Sequence, residues 1–144
     1  MKLLVPAIAA LLALSGCNDT HIAATPAAPV VRLSAVASRP ASGYFSLPID
    51  GDRGALLSVT SQQARRIEMH ETMNSANMTS MRALDRIPVS NGDELNFSPG
   101  GRHLMLYDLD PGIRPGSHII LTFNFERGPA RTLDALVEAA GGPE

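Results

Sequence analysis

The sequence predicts an all-β domain, an antiparallel Greek-key sandwich or small barrel. Three observations carry that reading. Short segments rich in β-branched and apolar residues recur along the chain, separated at close intervals by clusters of Pro, Gly, Asn and Asp. One of them, Ser117 to Glu126, alternates with the two-residue period of a strand: Ile119, Leu121, Phe123 and Phe125 stand against His118, Ile120, Thr122 and Asn124. No segment reads as a long helix.

The elements follow in order. Val30 to Val36 alternates and ends at Arg39-Pro40; Tyr44 to Ile49 is the next strand, and Asp50-Gly51-Asp52 with Gly54 turns the chain. Ala55 to Thr60 and Arg65 to His70 come after it. A connection rich in Met, Asn, Ser and Thr reads as a flexible loop and leads to Leu84 to Val89, a turn at Asn91-Gly92, and Glu94 to Phe97. Ser98-Pro99-Gly100-Gly101 turns into His103 to Tyr107. Asp110-Pro111-Gly112 and Arg114-Pro115-Gly116 bracket a loop before Ser117 to Glu126, and Ala130 to Val137 closes the series. Leu133 to Ala140 admits a helix instead. About eight or nine strands at this spacing fit a sandwich or barrel.

Composition bounds the function. With 144 residues and 44% hydrophobic residues, the chain holds one ordinary domain plus a leader. A net charge of −2, with no basic cluster interleaved with aromatics, supplies no field for nucleic acid. Residues 1–16 read as an export signal, with Lys2 as the basic end and an apolar run from Leu3 to Leu14 too short for a permanent membrane span. Leu14-Ser15-Gly16-Cys17 resembles a bacterial lipobox. That resemblance implies cleavage before Cys17 and lipidation of this sole cysteine, which has no disulfide partner, and hence a periplasmic, membrane-anchored lipoprotein. Asn18 after the cysteine points by analogy to the outer membrane, inner against outer staying open. Residues 17–29 are small, polar and proline-bearing and read as a tether; residues 30–144 form the folded domain.

The chemistry concentrates between His70 and Met105. His70, Met81, His103 and Met105 are spaced H-x10-M-x21-H-x-M, and five of the six methionines lie between residues 69 and 105, at 69, 73, 78, 81 and 105. A thioether is neither acid nor base, so two of them with two imidazoles point to a metal site. Soft sulfur selects Cu(I) over Zn(II). Within a strand, His103 and Met105 project to one face roughly 7 Å apart at Cα, with Leu104 and Leu106 toward the core. Met81 reaches the ion from its flexible loop, Met69 packs inward, and Met73 and Met78 are candidate auxiliary ligands. His21 and His118 read as solvated side chains.

These residues bring in a family. The spacing above, together with Met81-Arg82, Pro99-Gly100-Gly101, His103-Leu104-Met105-Leu106 and Leu121-Thr122-Phe123, resembles the periplasmic PCu(A)C-type copper chaperones over essentially the whole domain. The resemblance implies a cupredoxin-like β-sandwich that binds Cu(I) through His70, Met81, His103 and Met105. It further implies ligand-exchange delivery toward the dinuclear copper centre of cytochrome c oxidase, with partners such as an oxidase subunit or a Sco-type protein. Two departures stand out: Ala35-Val36-Ala37 where members carry an aromatic, and Thr79 where they carry methionine.

Competing classes fare less well. No nucleophile motif is present, and His70-Glu71 lacks the second histidine of a zinc protease, so no enzyme is indicated. A blue-copper electron carrier needs a cysteine ligand, which Cys17 does not supply. The alternative is a membrane-tethered structural or interaction lipoprotein with no metal role.

Overall fold

A computed structural model of the chain describes residues 28–75 and 78–141. The expected signal segment, Cys17 and the tether up to residue 27 lie outside the described residues. The described residues form an all-β, cupredoxin-like domain of ten strands with no helix.

In chain order the strands are β1 (Val30–Arg32), β2 (Ala41–Pro48), β3 (Ala55–Thr60), β4 (Ala64–Ser75), β5 (Met78–Ala83), β6 (Ile87–Pro88), β7 (Glu94–Phe97), β8 (Arg102–Leu109), β9 (His118–Phe125) and β10 (Arg131–Glu138). Hydrogen bonding runs along the path β5-β4-β8-β2-β1-β10-β9-β3-β6, and β7 joins β2 off this path. Every pairing is antiparallel except β1 with β10, which is parallel, so the sheet is mixed rather than purely antiparallel.

The sheet folds over itself without closing into a barrel. Strand β2 makes the fold possible by serving two partners: Ala41, Ser42 and Gly43 pair with β8, whereas Phe45 to Pro48 pair with β7. Phe45 then stacks on Phe97 at 4.4 Å and meets the edge of Phe123 at 4.7 Å, although Phe123 lies on β9, three places along the path. All three rings are 2% exposed or less, and this aromatic cluster with Leu47, Leu56, Leu104, Leu106, Ile119 and Leu121 is the centre of the core. Burying such side chains contributes about 1.5–3 kcal/mol each. Gly43 suits the close approach where β2 pairs with β8, because a Cβ there would lie 3.1 Å from Leu104 Cβ. At Asn91-Gly92 the turn holds Gly92 at φ +88°, a left-handed conformation that a Cβ would oppose.

Several boundaries differ from the sequence expectation. The first strand stops at Arg32 rather than Val36, because the Ser34 hydroxyl accepts the Val36 N–H (3.2 Å) and bends the chain. The Arg65–His70 strand continues to Ser75, since β5 pairs with its far half. Strand β5 itself was expected as a loop. Its six residues, MTSMRA, are all exposed and show no apolar alternation; it is held as a strand by its ladder to β4. Of Leu84 to Val89 only Ile87–Pro88 is strand, although the Leu84 and Val89 N–H groups also donate, to the Met69 and Gly54 carbonyls. Leu133 to Glu138 is strand, not helix. The Pro29 carbonyl already accepts the Leu136 N–H at 3.0 Å, so the ordered sheet begins at the end of the tether segment.

Candidate metal centre

Three strands at one end of the sheet, β8-β4-β5, position the expected ligands. Met69 and Leu104 stand opposite each other and are 5% and 0% exposed, so the core side of this ribbon is fixed by apolar burial. Parity does the rest. On the other face His70 lies directly opposite His103, Glu68 opposite Met105, and Thr72 opposite Met81. All four of His70, Met81, His103 and Met105 therefore project from the same side of the ribbon.

His70 is the hub. Its ring centroid lies 5.9 Å from that of His103 at a tilt of 31°. It is the diagonal neighbour of both Met105 and Met81, positions about 7–8 Å away in a regular sheet. Met105 and Met81 are farther from each other, about 17 Å at Cα on flat-sheet spacings, because they stand on outer strands at opposite ends of the site. The structure thus groups His70, His103 and Met105 and places Met81, 60% exposed, on the projecting β4–β5 hairpin. Met81 belongs to a strand, not to the flexible loop expected. Two-stranded ribbons are the most strongly twisted part of sheets, and twist shortens the flat-sheet separation between Met81 and the other three.

The hydrogen bonds distinguish the ring nitrogens. His103, the one buried polar residue among the described residues, has Nδ1 3.1 Å from the Gly101 carbonyl oxygen. A carbonyl only accepts, so Nδ1 carries the proton and the Nε2 lone pair is left for other use. His70 is the reverse: Nε2 donates to Glu68 Oε2 at 3.1 Å, and Nδ1 is buried with no hydrogen-bond partner. Such an orphaned buried nitrogen is costly unless something binds it. The hydrogen bond from His70, aided by Tyr107 and Arg66, holds the Glu68 carboxyl below the usual carboxylate range against the opposing effect of burial. Burial, reinforced by Glu68, pushes the Tyr107 phenol up. Behind the site, Glu71 accepts from Arg82 at 2.6 Å and lies 3.5 Å from Arg102, linking β5, β4 and β8 across the opposite face. The bond from Arg82 lowers its carboxyl below the ordinary range.

Among the described residues no three His, Cys, Asp or Glu side chains are grouped to hold a metal. A metal at this site must draw on the thioethers, which favours a soft ion. Met73 and Met78 do not join the set. Met73 pairs with Ser80 and Met78 with Ser75, which puts both on the Glu71 face of the hairpin, 42% and 69% exposed. His118 is an exposed residue whose Nδ1 lies 2.7 Å from Asp134 Oδ1. Glu68 and Tyr107 escaped sequence reasoning. The only signal for them was strand parity, Arg66-Glu68-His70 and His103-Met105-Tyr107, and it becomes readable once the register of β4 on β8 is known.

Comparison with known proteins agrees with this fold. The chain is similar to the copper-bound PCuAC domain from PmoF2, at 26% identity and a TM-score of 0.61, over 79% of this chain and 91% of that one. It is similar in fold to apo-DR1885 from Deinococcus radiodurans, at 17% identity and a TM-score of 0.55, over 100% and 97% of the two chains. Among curated sequences it is 28% identical over 96 residues to the uncharacterized protein RP573 of Rickettsia prowazekii (strain Madrid E), covering 65% of this chain. The chain spans about half the length of that relative (53%). The model of the LpqE-like lipoprotein family matches residues 17–137, nearly the whole of the chain beyond the expected signal segment, and the chain belongs to that family.

Proposed function

We propose that this protein is an extracytoplasmic Cu(I) carrier. His70, His103 and Met105 form the core of the site, through His70 Nδ1, His103 Nε2 and the Met105 sulfur, and Met81 closes on the ion from the β4–β5 hairpin. The observation that carries the reading is the buried, unpartnered His70 Nδ1 beside a second imidazole and a thioether. The likeness to a copper-bound PCuAC domain supports it.

Copper here is cargo. Neutral imidazole and thioether ligands bind the d10 ion without accumulating negative charge, and they tolerate three or four ligands. Release then proceeds by ligand exchange: a partner's donors replace the protein's one at a time, beginning with exposed Met81. No catalytic step is needed. Cys17 carries a lipid that holds the domain on the periplasmic side of a membrane. The recipient belongs to the assembly route of the dinuclear copper centre of cytochrome c oxidase, with an oxidase subunit or a Sco-type protein as exchange partner.

The test is a Cu(I) titration of the full chain under reducing conditions against a competing chelator, repeated with His103→Ala and Met105→Ala. One equivalent of Cu(I) bound by the wild type, with affinity lost in both variants, is the expected result. A chain that leaves Cu(I) with the chelator would end the proposal.

A further inference from the structure

We infer that Glu68 is the positioning residue of the copper site: its carboxylate fixes which nitrogen of His70 faces the ion. This inference rests on the copper reading above and adds to it a residue that no motif marked.

An ionised carboxylate has no proton to give, so the 3.1 Å contact between Glu68 Oε2 and His70 Nε2 makes Nε2 the donor and leaves the lone pair on Nδ1. Without that acceptor a neutral imidazole is free to exchange tautomers, and the Nδ1 lone pair is lost to the ion whenever Nδ1 carries the proton. The carboxylate is itself held. Its Oε1 lies 2.9 Å from Arg66 Nη1, and the Arg66 guanidinium stacks over the Tyr107 ring at 4.1 Å. The Tyr107 hydroxyl also lies 3.8 Å from Met105 Sδ, so the same cluster reaches the thioether. These groups occupy successive cross-strand pairs, Arg66 with Tyr107, Glu68 with Met105 and His70 with His103. The ladder that brings the two imidazoles together therefore also delivers the carboxylate. Outer partners of this kind set the orientation and basicity of ligating histidines, and their removal typically costs about 10- to 100-fold in metal affinity.

The test separates positioning from binding. In the apo full chain, two-bond ¹H–¹⁵N correlation spectra read the His70 tautomer directly. Wild type should show a protonated Nε2 and an unprotonated Nδ1. Glu68→Ala should mix the two forms, and Glu68→Gln, whose amide oxygen still accepts from Nε2, should restore the single tautomer. The Glu68 side chain is a third exposed, and backbone amide spectra confirm that each variant is folded. Cu(I) affinity by chelator competition should fall about 10- to 100-fold in Glu68→Ala and recover in Glu68→Gln. An unchanged tautomer in Glu68→Ala, or a mixed tautomer with unchanged Cu(I) affinity, overturns the role of Glu68 while leaving the copper site standing. A wild type that fails to bind Cu(I) removes the copper reading, and this inference with it.

Discussion

The face assignment of the methionines makes a sharp prediction, because Met81→Leu and Met69→Leu remove the same sulfur from opposite sides of one ribbon. Met81 is 60% exposed on β5 and packs against little, so its replacement should move the folding stability of the apo chain by less than about 0.5 kcal/mol. Met69 is 5% exposed beneath β4, where a volume-conserving swap costs under about 1.5 kcal/mol. The copper term runs the other way. Losing a direct ligand should exceed the roughly 100-fold upper range of outer-shell changes, more than about 2.8 kcal/mol at tenfold per 1.4 kcal/mol. At a fixed free Cu(I) level that saturates the wild type, the stabilisation contributed by the metal follows RT ln(1 + [L]/Kd) and falls by the same amount. For a domain of this size about 1 kcal/mol corresponds to roughly 3–5 °C, so the copper-induced rise in Tm should shrink by about 10 °C in Met81→Leu. Met69→Leu should keep the full rise from a slightly lower apo Tm. Differential scanning fluorimetry in buffered Cu(I) with reductant reads both. A full rise in Met81→Leu, or its loss in Met69→Leu, would refute the assignment of faces.

Other outcomes follow from the same structure. Leu104→Ala empties a fully buried position between His103 and Met105 and should cost about 2–5 kcal/mol in urea unfolding. Gly43→Ala places a Cβ within 3.1–3.3 Å of Leu104 and Leu106 atoms and should cost about 1–3 kcal/mol by the same assay. Limited peroxide treatment should oxidise exposed Met78 and Met81 before Met69, seen by peptide mass spectrometry, and Cu(I) affinity should fall in step with Met81 sulfoxide. Asp50 is held below the ordinary carboxylate range first by its hydrogen bond from Arg53, with Arg131 adding to the effect. A depressed folded-state pKa means stability present in full above the unfolded value of about 3.9 and lost as pH falls through the lower folded one. Asp50→Asn should flatten that part of the urea midpoint against pH, an effect weakened by added salt because the carboxylate is exposed.

Much of the fold was legible. Ala55–Thr60 and Glu94–Phe97 were readable to the residue, and the alternation around Phe123 marked the core face of β9, because apolar burial on one face imposes a two-residue period on the sequence itself. Strand β5 was not, because all six of its side chains face solvent and its hydrogen bonds go to a strand whose pairing the local sequence does not state. The β2 switch between β8 and β7 was hidden for the same reason.

The site divides along that line. The chain by itself determined that His103 and Met105 share a face and that Leu104 lies opposite, since neighbouring side chains on a strand alternate whatever the partner. Only the tertiary structure decided that His70 stands across from His103, that Glu68 and Tyr107 join them, and that Met73 and Met78 turn away. Those facts depend on the register of β4 between β5 and β8. A slip of one residue would bring Met69 out and His70 in, and what prevents it is the burial of Met69 against Leu104 in a core assembled from distant parts of the chain.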